Sequence, residues 1–450
     1  MQEVQIARRL AEAVAANGGR AYFVGGYVRD QLMGRRTKDI DVEIYGIAPA
    51  RLRALLAGEG RVFEKGASFG VLSLEHTNLD VAMPRRESRT GARHTDFDIS
   101  VDPSLSTRDA SRRRDFTVNA MLMDVLTGEI VDHWGGRNDL AAGVLRHVAS
   151  DTFPEDALRV FRAAQFAARF EMRVAEETIE LCRGMDVRAL SRERVFEETC
   201  KAFLQAKRPS VYFAVLEEMG HLEEFFPEVA AMRGVPQNPQ YHPEGDVYRH
   251  TMLVLDQAAL LRERAVEPLF FMFAALCHDL GKIDSTRVEE DGRITSHMHP
   301  VSGRPLAERQ LRRLCDNARL LRYVDDMVLN HMRPNAMAMS QSKKKKTRLL
   351  FDGCVCPEDL ILLSRADASG KLGAPYDERF ERFLLERLQD WREAAAQPMV
   401  TGRDLISAGL VPDERFSAML QRARALRFAG LSKDSALRQV LAEFSALKKG

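Results

Sequence analysis

The sequence predicts an α+β chain of several domains, in which a small α/β head precedes a body that is helical almost throughout. Three observations carry this. Over residues 1–150, short apolar stretches of period two alternate with segments of helical spacing. From about Phe153 onward helical spacing takes over. The length of 450 residues exceeds one module, since roughly 100–200 residues make a domain.

In the head, Ile6–Ala16 is an amphipathic helix closed by Gly18-Gly19. Ala21–Gly25 is a short apolar strand, and Gly25-Gly26 turns into a helix through Leu32. Asp39–Tyr45 alternates strictly, with Ile40, Val42 and Ile44 on one face and Asp39, Asp41 and Glu43 on the other. Val71–Glu75 and Leu79–Met83 read as further strands, and Ala120–Val125 with Ile130-Val131 as a hairpin around Thr127-Gly128. Beyond the head, Asp156–Phe170, Ala175–Cys182, Arg194–Leu204 and Pro209–Met219 carry helical spacing. Arg233–Gly245, rich in Pro and Gln, reads as a linker before a second helical block from Val247 to about Asp390 and a helical tail after Gln397-Pro398. The expected domains are 1–150, 151–235, 236–395 and 396–450.

Composition narrows the class. The apolar fraction of 45% and charged fraction of 29% are ordinary for a soluble chain. With 66 basic and 65 acidic side chains the net charge is +1, which excludes a grossly basic nucleic-acid coat, so any polyanion site is a local patch. There are 13 Lys and 53 Arg. Arginine suits planar phosphate recognition, although codon bias in a GC-rich genome gives the same excess. The one basic run, Lys343–Lys346, reads as a solvated helix face. Six cysteines without a C-x-x-C pair argue against a disulfide framework or zinc ribbon and fit a reducing compartment. The longest apolar run, Leu269–Cys277, is far short of a membrane span, and Met-Gln-Glu-Val opens no secretory leader, so a cytoplasmic protein without membrane attachment is expected.

Two constellations carry chemistry. Gly25-Gly26 stands where a strand meets a helix. Such a turn is often plain punctuation, but two glycines also let a phosphate approach the backbone, with Arg29 adding charge. Asp39 and Asp41 project to one face of the next strand. Alone they would be a solvated acidic edge; beside a phosphate turn they suit two-metal phosphoryl transfer, with Asp80 as a third carboxylate. Further along, His250, His278-Asp279, His299, His331 and Asp367 are metal-capable, and His278-Asp279 closes the apolar run, where a buried ionic pair needs a compensating cation.

Gly25-Gly26-x-Val28-Arg29-Asp30 followed by Lys38-Asp39-Ile40-Asp41 resembles the head of class II tRNA nucleotidyltransferases and bacterial poly(A) polymerases. Arg112-Arg113-Arg114-Asp115-Phe116-Thr117, Asp132-x-x-Gly135-Gly136, Glu155-Asp156-Ala157-Leu158-Arg159-x-x-Arg162 and Ser191-Arg192-Glu193-Arg194-Val195 follow in the same order. The resemblance implies a nucleotidyltransferase head. In it Asp39 and Asp41 bind catalytic Mg²⁺, Gly26, Arg29 and Arg162 contact the nucleotide's phosphates, Gly25 and Arg114 also bind the nucleotide, and Asp156 and Arg159 read the base of CTP or ATP. Where relatives often carry another Arg, this chain has Gln165. Tyr241-His242-Pro243-Glu244, Cys277-His278-Asp279-Leu280-Gly281-Lys282 and Ala366-Asp367 resemble the HD phosphohydrolase superfamily. That likeness implies a helical domain with His250, His278, Asp279 and Asp367 around a transition metal or Mg²⁺, and His299 and His331 supporting a second ion.

The order of head, helical neck and HD domain resembles bacterial tRNA nucleotidyltransferases, which implies addition of CCA to tRNA from CTP and ATP. Arg192, Arg194, Lys201, Lys207 and Arg208 are candidate tRNA contacts. A poly(A) polymerase, an A-adding enzyme and a phosphohydrolase with an inert head are the alternatives. Gly66–Val71 lacks the basic stretch usual in the first, and intact Asp39 and Asp41 argue against the last. A flexible segment after the third strand carboxylate, present here as Arg86–Ser111, implies addition of the terminal A. In the tail, Thr401-Gly402-Arg403-Asp404 also resembles the family, but Pro412-Asp413-Glu414 departs from it.

Overall fold

The structure, a computed structural model, describes residues 2–37, 39–65, 71–89, 97–373 and 375–446. Lys38, the stretch Gly66–Gly70 and the segment 90–96, with its Gly91 and Asp96, lie outside the described residues. The chain forms two compact units, Met1–Ala202 with Val211–Glu224, and Phe203–Ser210 with Phe225–Gly450.

The first unit opens with α1 (Gln2–Ala15), β1 (Arg20–Val24), α2 (Gly26–Leu32), β2 (Ile40–Tyr45), α3 (Pro49–Ala57), β3 (Val62–Lys65), β4 (Val71–Leu74) and β5 (Leu79–Ala82). Then come β6 (Arg85–Arg89), β7 (Phe97–Val101), α4 (Thr107–Ser111), β8 (Leu122–Asp124) and β9 (Ile130–Val131). Seven strands make one sheet in the order β3-β4-β5-β2-β1-β8-β9. The alternation in β2 does what period two demands: Ile40, Val42 and Ile44 are buried with Phe23, Val28, Leu79 and Val81, while Asp39 and Asp41 are exposed on the other face. β2 is antiparallel to β1 but parallel to β5, in a register that puts Asp41 opposite Asp80.

Three strands of the head were not expected. β3 has one partner, β4, and its Val-Phe-Glu-Lys sequence lacks a clear apolar face. The expected loop Arg86–Ser111 is in large part a hairpin, β6 with β7 in register from Arg85↔Val101 to Arg89↔Phe97, followed by α4. The pair stands as its own two-stranded sheet, separate from the main one.

The neck follows with α5 (Gly136–Ala142), β10 (Val144–Leu145), α6 (Leu158–Phe170), β11 (Arg173–Val174), α7 (Glu176–Arg183), α8 (Arg192–Gln205), α9 (Ser210–Glu218) and α10 (Leu222–Phe225). The parallel β10–β11 pair interrupts an otherwise helical stretch. α6 starts later than its spacing suggests, because Asp156 is extended, at φ −126° and ψ 102°, after a 3-10 turn over Phe153–Glu155. That break leaves the Asp156 carboxylate outside the helix.

The second unit contains α11 (Pro227–Ala230), α12 (Val247–Leu261), α13 (Pro268–Cys277), α14 (Lys282–Ser285), β12 (Thr286–Val288), β13 (Ile294–Ser296), α15 (His299–Leu314), α16 (Ala318–Asn330) and α17 (Met332–Met339). It closes with α18 (Lys344–Gly353), α19 (Pro357–Ser369), α20 (Glu378–Ala395), α21 (Gly402–Ser407), α22 (Arg415–Phe428) and α23 (Lys433–Ala446). A short hairpin, β12–β13, is its one sheet among the described residues. The apolar run becomes α13, with Phe271–Cys277 fully buried. The tail helices have their own small core around Leu405, Met419, Ala423 and Val440. Among the described residues, no helix is long and apolar enough to cross a membrane.

Candidate active sites

In the first unit a cleft of ≈ 660 Å³ runs along the polar side of the sheet. Asp41, Glu43 and Asp80 line it from the strands, Arg113 and Arg114 from the segment after α4, and Asp156, Arg159 and Arg194 from the neck. Gly25 holds φ +65°, a conformation only glycine adopts without strain. A side chain there would meet the Arg114 guanidinium at 3.3 Å and Asp41 Oδ2 at 4.0 Å, so the glycine turn, Arg114 and a β2 carboxylate close on one spot. The buried Ser73 hydroxyl donates to Asp80 Oδ1 at 2.5 Å and fixes that carboxylate. Asp39 lies before β2, exposed and outside the cleft lining, and the three aspartates do not gather their oxygens into one tight group. Hard carboxylate oxygens on adjacent strands nonetheless fit Mg²⁺ chemistry.

Two arginines expected on phosphates have another task. Arg29 is 4% exposed; its Nε and Nη2 donate to Asp30 Oδ1 at 2.8 and 2.7 Å, its Nη1 to Asn119 Oδ1 at 2.6 Å, and it stacks 4.2 Å over Phe170. The guanidinium is therefore turned into the protein beneath the glycine turn. Arg162 donates through Nε and Nη2 to Asp115 Oδ2 at 2.9 and 2.6 Å and is likewise absent from the cleft lining. Burial works against the Asp115 charge, yet Arg162 and Asn119 hold its carboxyl below the ordinary range. Both arginines buttress the site where a phosphate contact was expected.

At the far end of the cleft Arg159 is pinned by main-chain carbonyls. Its Nη1 donates to Thr152 O at 2.8 Å and Phe153 O at 3.2 Å, and its Nη2 to Arg113 O at 2.6 Å. Asp156 accepts from Leu158 N at 3.1 Å and from Arg194 Nη2. Arg194, expected on the tRNA, thus belongs to the cleft, and Lys201 is engaged with the buried Glu198 at 2.7 Å. Arg208 pairs with Asp256 at 3.4 Å, and Arg192 with Glu193 at 3.0 Å.

The second unit gathers the histidines. His250, His278 and Asp279 form one group whose ligand atoms lie within 4.8 Å of one another, and Asp279, His299 and His331 form another, so Asp279 stands in both. Asp367 is 3.2 Å from His250 Nε2. The tautomers follow from the partners. His278, His299 and His331 each place Nδ1 2.8 Å from the carbonyl three residues earlier, Ala275, Ser296 and Val328. A carbonyl only accepts, so Nδ1 carries the proton and Nε2 keeps its lone pair. His278 Nε2 is buried without a hydrogen bond, and the Nε2 atoms of His299 and His331 face each other at 3.2 Å. Burial also lowers His299 to a pKa of about 4, leaving it neutral. Converging lone pairs beside a buried carboxylate fit a divalent cation.

The supposed linker supplies much of what surrounds this cluster. Glu244, 1% exposed, accepts from His250 Nδ1 at 2.8 Å, and Gln237 Oε1 accepts from the buried Lys282 ammonium, which also pairs with Asp279 at 2.7 Å. Gln237, Tyr241 and His242 line a ≈ 350 Å³ pocket over Asp279 and Asp367, with Lys371 at its rim. Close backbone packing completes the group. A Cβ on Gly281 would sit 1.9 Å from His299 O, so only glycine lets α15 bring His299 up to Asp279.

The Poly A polymerase head domain family matches residues 21–146, the family described as a probable RNA and SrmB-binding site of polymerase A matches 171–233, and the HD domain family matches 247–369. The multifunctional CCA protein of Hahella chejuensis is 36% identical over 92% of this chain and 96% of its own. That of Alkalilimnicola ehrlichii is 35% identical over 92% and 98%. Among solved structures, the Bacillus stearothermophilus CCA-adding enzyme in complex with CTP is similar with a TM-score of 0.71 at 19% identity, covering 100% of this chain and 99% of that one. The Thermotoga maritima CCA-adding enzyme complexed with tRNA shares the fold with a TM-score of 0.62 at 18% identity, covering 98% and 95%. With more than a third of its residues identical to such relatives across nearly the full length of both chains, this chain belongs to the multifunctional CCA protein family.

Proposed function

We propose that the head and neck add CCA to the 3′ end of tRNA from CTP and ATP without a template, and that the histidine–aspartate site of the second unit hydrolyses phosphoesters. The observation that carries the first half is one cleft with carboxylates at one end and an acceptor–donor pair, Asp156 and Arg159, at the other. Similarity to proteins named multifunctional CCA protein, and to CCA-adding enzymes solved with CTP, ATP and tRNA, supports the substrates. Asp39 and Asp41 would hold Mg²⁺, with Asp80 alongside; when bound, the ion supplies Lewis acidity for the tRNA 3′-hydroxyl and neutralises the triphosphate. Gly25 leaves room for phosphate oxygens, and Arg114 offers them a guanidinium. Asp156 accepts from the exocyclic amine that C and A share, and Arg159, fixed by backbone carbonyls, donates to the ring nitrogen beside it.

In the second unit His250, His278, Asp279 and Asp367 would hold a transition metal or Mg²⁺, with His299 and His331 toward a second ion; when bound, a divalent cation supplies a hydroxide nucleophile. Lys282 and Lys371 offer positive charge to a phosphate in the same pocket. A cytoplasmic setting fits these substrates. The test supplies tRNA lacking CCA with CTP and ATP. A product ending in CCA is expected; one stopping at CC contradicts terminal A addition, and activity only on tRNA already ending in CC selects an A-adding enzyme.

A further inference from the structure

Arg194 stands in the first turn of α8, where a cation opposes the helix dipole, so helix stability does not account for it. Its Nη2 reaches across 38 residues to Asp156, at 2.9 Å from Oδ2 and 3.2 Å from Oδ1. One nitrogen therefore spans both carboxylate oxygens, where a fork would use two. The other terminal nitrogen, Nη1, is buried and has no acceptor. One turn further along the same face of α8, Glu198 lies 3.8 Å from Arg162, whose other partner is Asp115. The first two turns of α8 thus grip the base-end segment at Asp156 and at Arg162.

Asp156 needs that grip. It sits in extended backbone between a 3-10 turn and α6, where the Leu158 amide also donates to it. A carboxylate without a partner there could rotate. Held by Arg194, it presents its acceptor oxygens in a fixed plane. That state rejects U and G, which present a carbonyl oxygen where C and A present an amine.

Resting on the nucleotidyltransferase reading, we propose that Arg194 is a positioning residue for nucleotide choice: it holds the Asp156 carboxylate oriented so that C and A are accepted and U and G refused. It acts through Asp156 and is no tRNA contact.

The experiment compares the full-length parent, Arg194→Gln and Arg194→Lys on tRNA lacking CCA, measuring kcat/KM separately for CTP, ATP, UTP and GTP and KM for tRNA, with thermal melts of each. Arg194→Gln is expected to lower the preference for CTP over UTP by about 10- to 100-fold, a fraction of what a hydrogen-bonded site provides. Arg194→Lys, which keeps the charge without the planar fork, should recover part of it, and the KM for tRNA should stay within about twofold of the parent. An equal fall for all four nucleotides, or a raised tRNA KM with unchanged preference, overturns the proposal. A parent that adds neither CMP nor AMP overturns the underlying reading itself, which separates the two failures.

Discussion

In the head, Asp39 and Asp41 are exposed on the polar side of the sheet, and the Ser73 hydroxyl braces Asp80. In the second unit each imidazole and carboxylate of the two metal-capable groups around Asp279 is buried, and each imidazole is oriented by a partner before any ion is considered. Water solvates the exposed carboxylates of the head, so their charge costs little before substrate comes. Burial makes charge costly in the second unit, and the chain offsets it locally. Desolvation opposes ionisation of Asp279 and Asp367, yet Lys282 beside the first and Lys371 with His250 beside the second hold both well below the usual carboxylate range. One site is assembled around what it binds, and the other is built in advance.

The sharpest way to break this contrast is to remove a head carboxylate. Asp39→Ala and Asp41→Ala should each lower nucleotide addition by about 10⁴-fold while melting curves and second-unit hydrolysis stay at parent levels. Near-normal CMP and AMP incorporation by either variant defeats the assignment. Next, Asp156→Ala or Arg159→Ala should forfeit about 10³-fold of the selection against UTP and GTP, measured as a ratio of kcat/KM values. Undiminished exclusion of UTP and GTP would move base choice elsewhere.

On the other side, a preformed site should suffer from loss of its orienting groups. Glu244→Gln should weaken binding of Mn²⁺ or Ni²⁺ to the second unit by about 10- to 100-fold in calorimetry, with CCA addition unaffected. Binding equal to the parent would show that His250 needs no carboxylate behind it. A different kind of effect, on stability, concerns the buttress. Asp30→Ala strands the buried Arg29 guanidinium and should cost about 3–5 kcal/mol, or roughly 10 °C in the melting of the first unit. Asp115 adds a pH signature. Because its folded carboxyl titrates below the unfolded one, its contribution is complete above about pH 5 and fades as pH falls through the lowered value. Denaturation from pH 6 to 3 should show this slope, and Asp115→Asn should flatten it.

Much of both sites was legible because it is written locally. Alternation put Asp39 and Asp41 on one face, and the apolar run ending in His278-Asp279 marked a buried polar pair. What escaped depends on partners distant in sequence. Arg29 turns inward to meet Asn119, 90 positions away, and Arg194 turns to the cleft to meet Asp156. Side-chain direction of this kind leaves no periodic mark. Arg233–Gly245 looked like a linker because Pro and Gln report missing helix without reporting what the irregular backbone lines, here Gln237, His242 and Glu244.

The three imidazoles anchored to carbonyls three residues earlier have a consequence for how the protein matures. Those anchors arise from the chain's own turns, so the histidines find their final poses as the chain folds, with no ion as template. Metal uptake is then a late, reversible filling step, unlike that of domains that fold only around zinc. Stripping the protein with a chelator should silence the hydrolase and leave the fold standing.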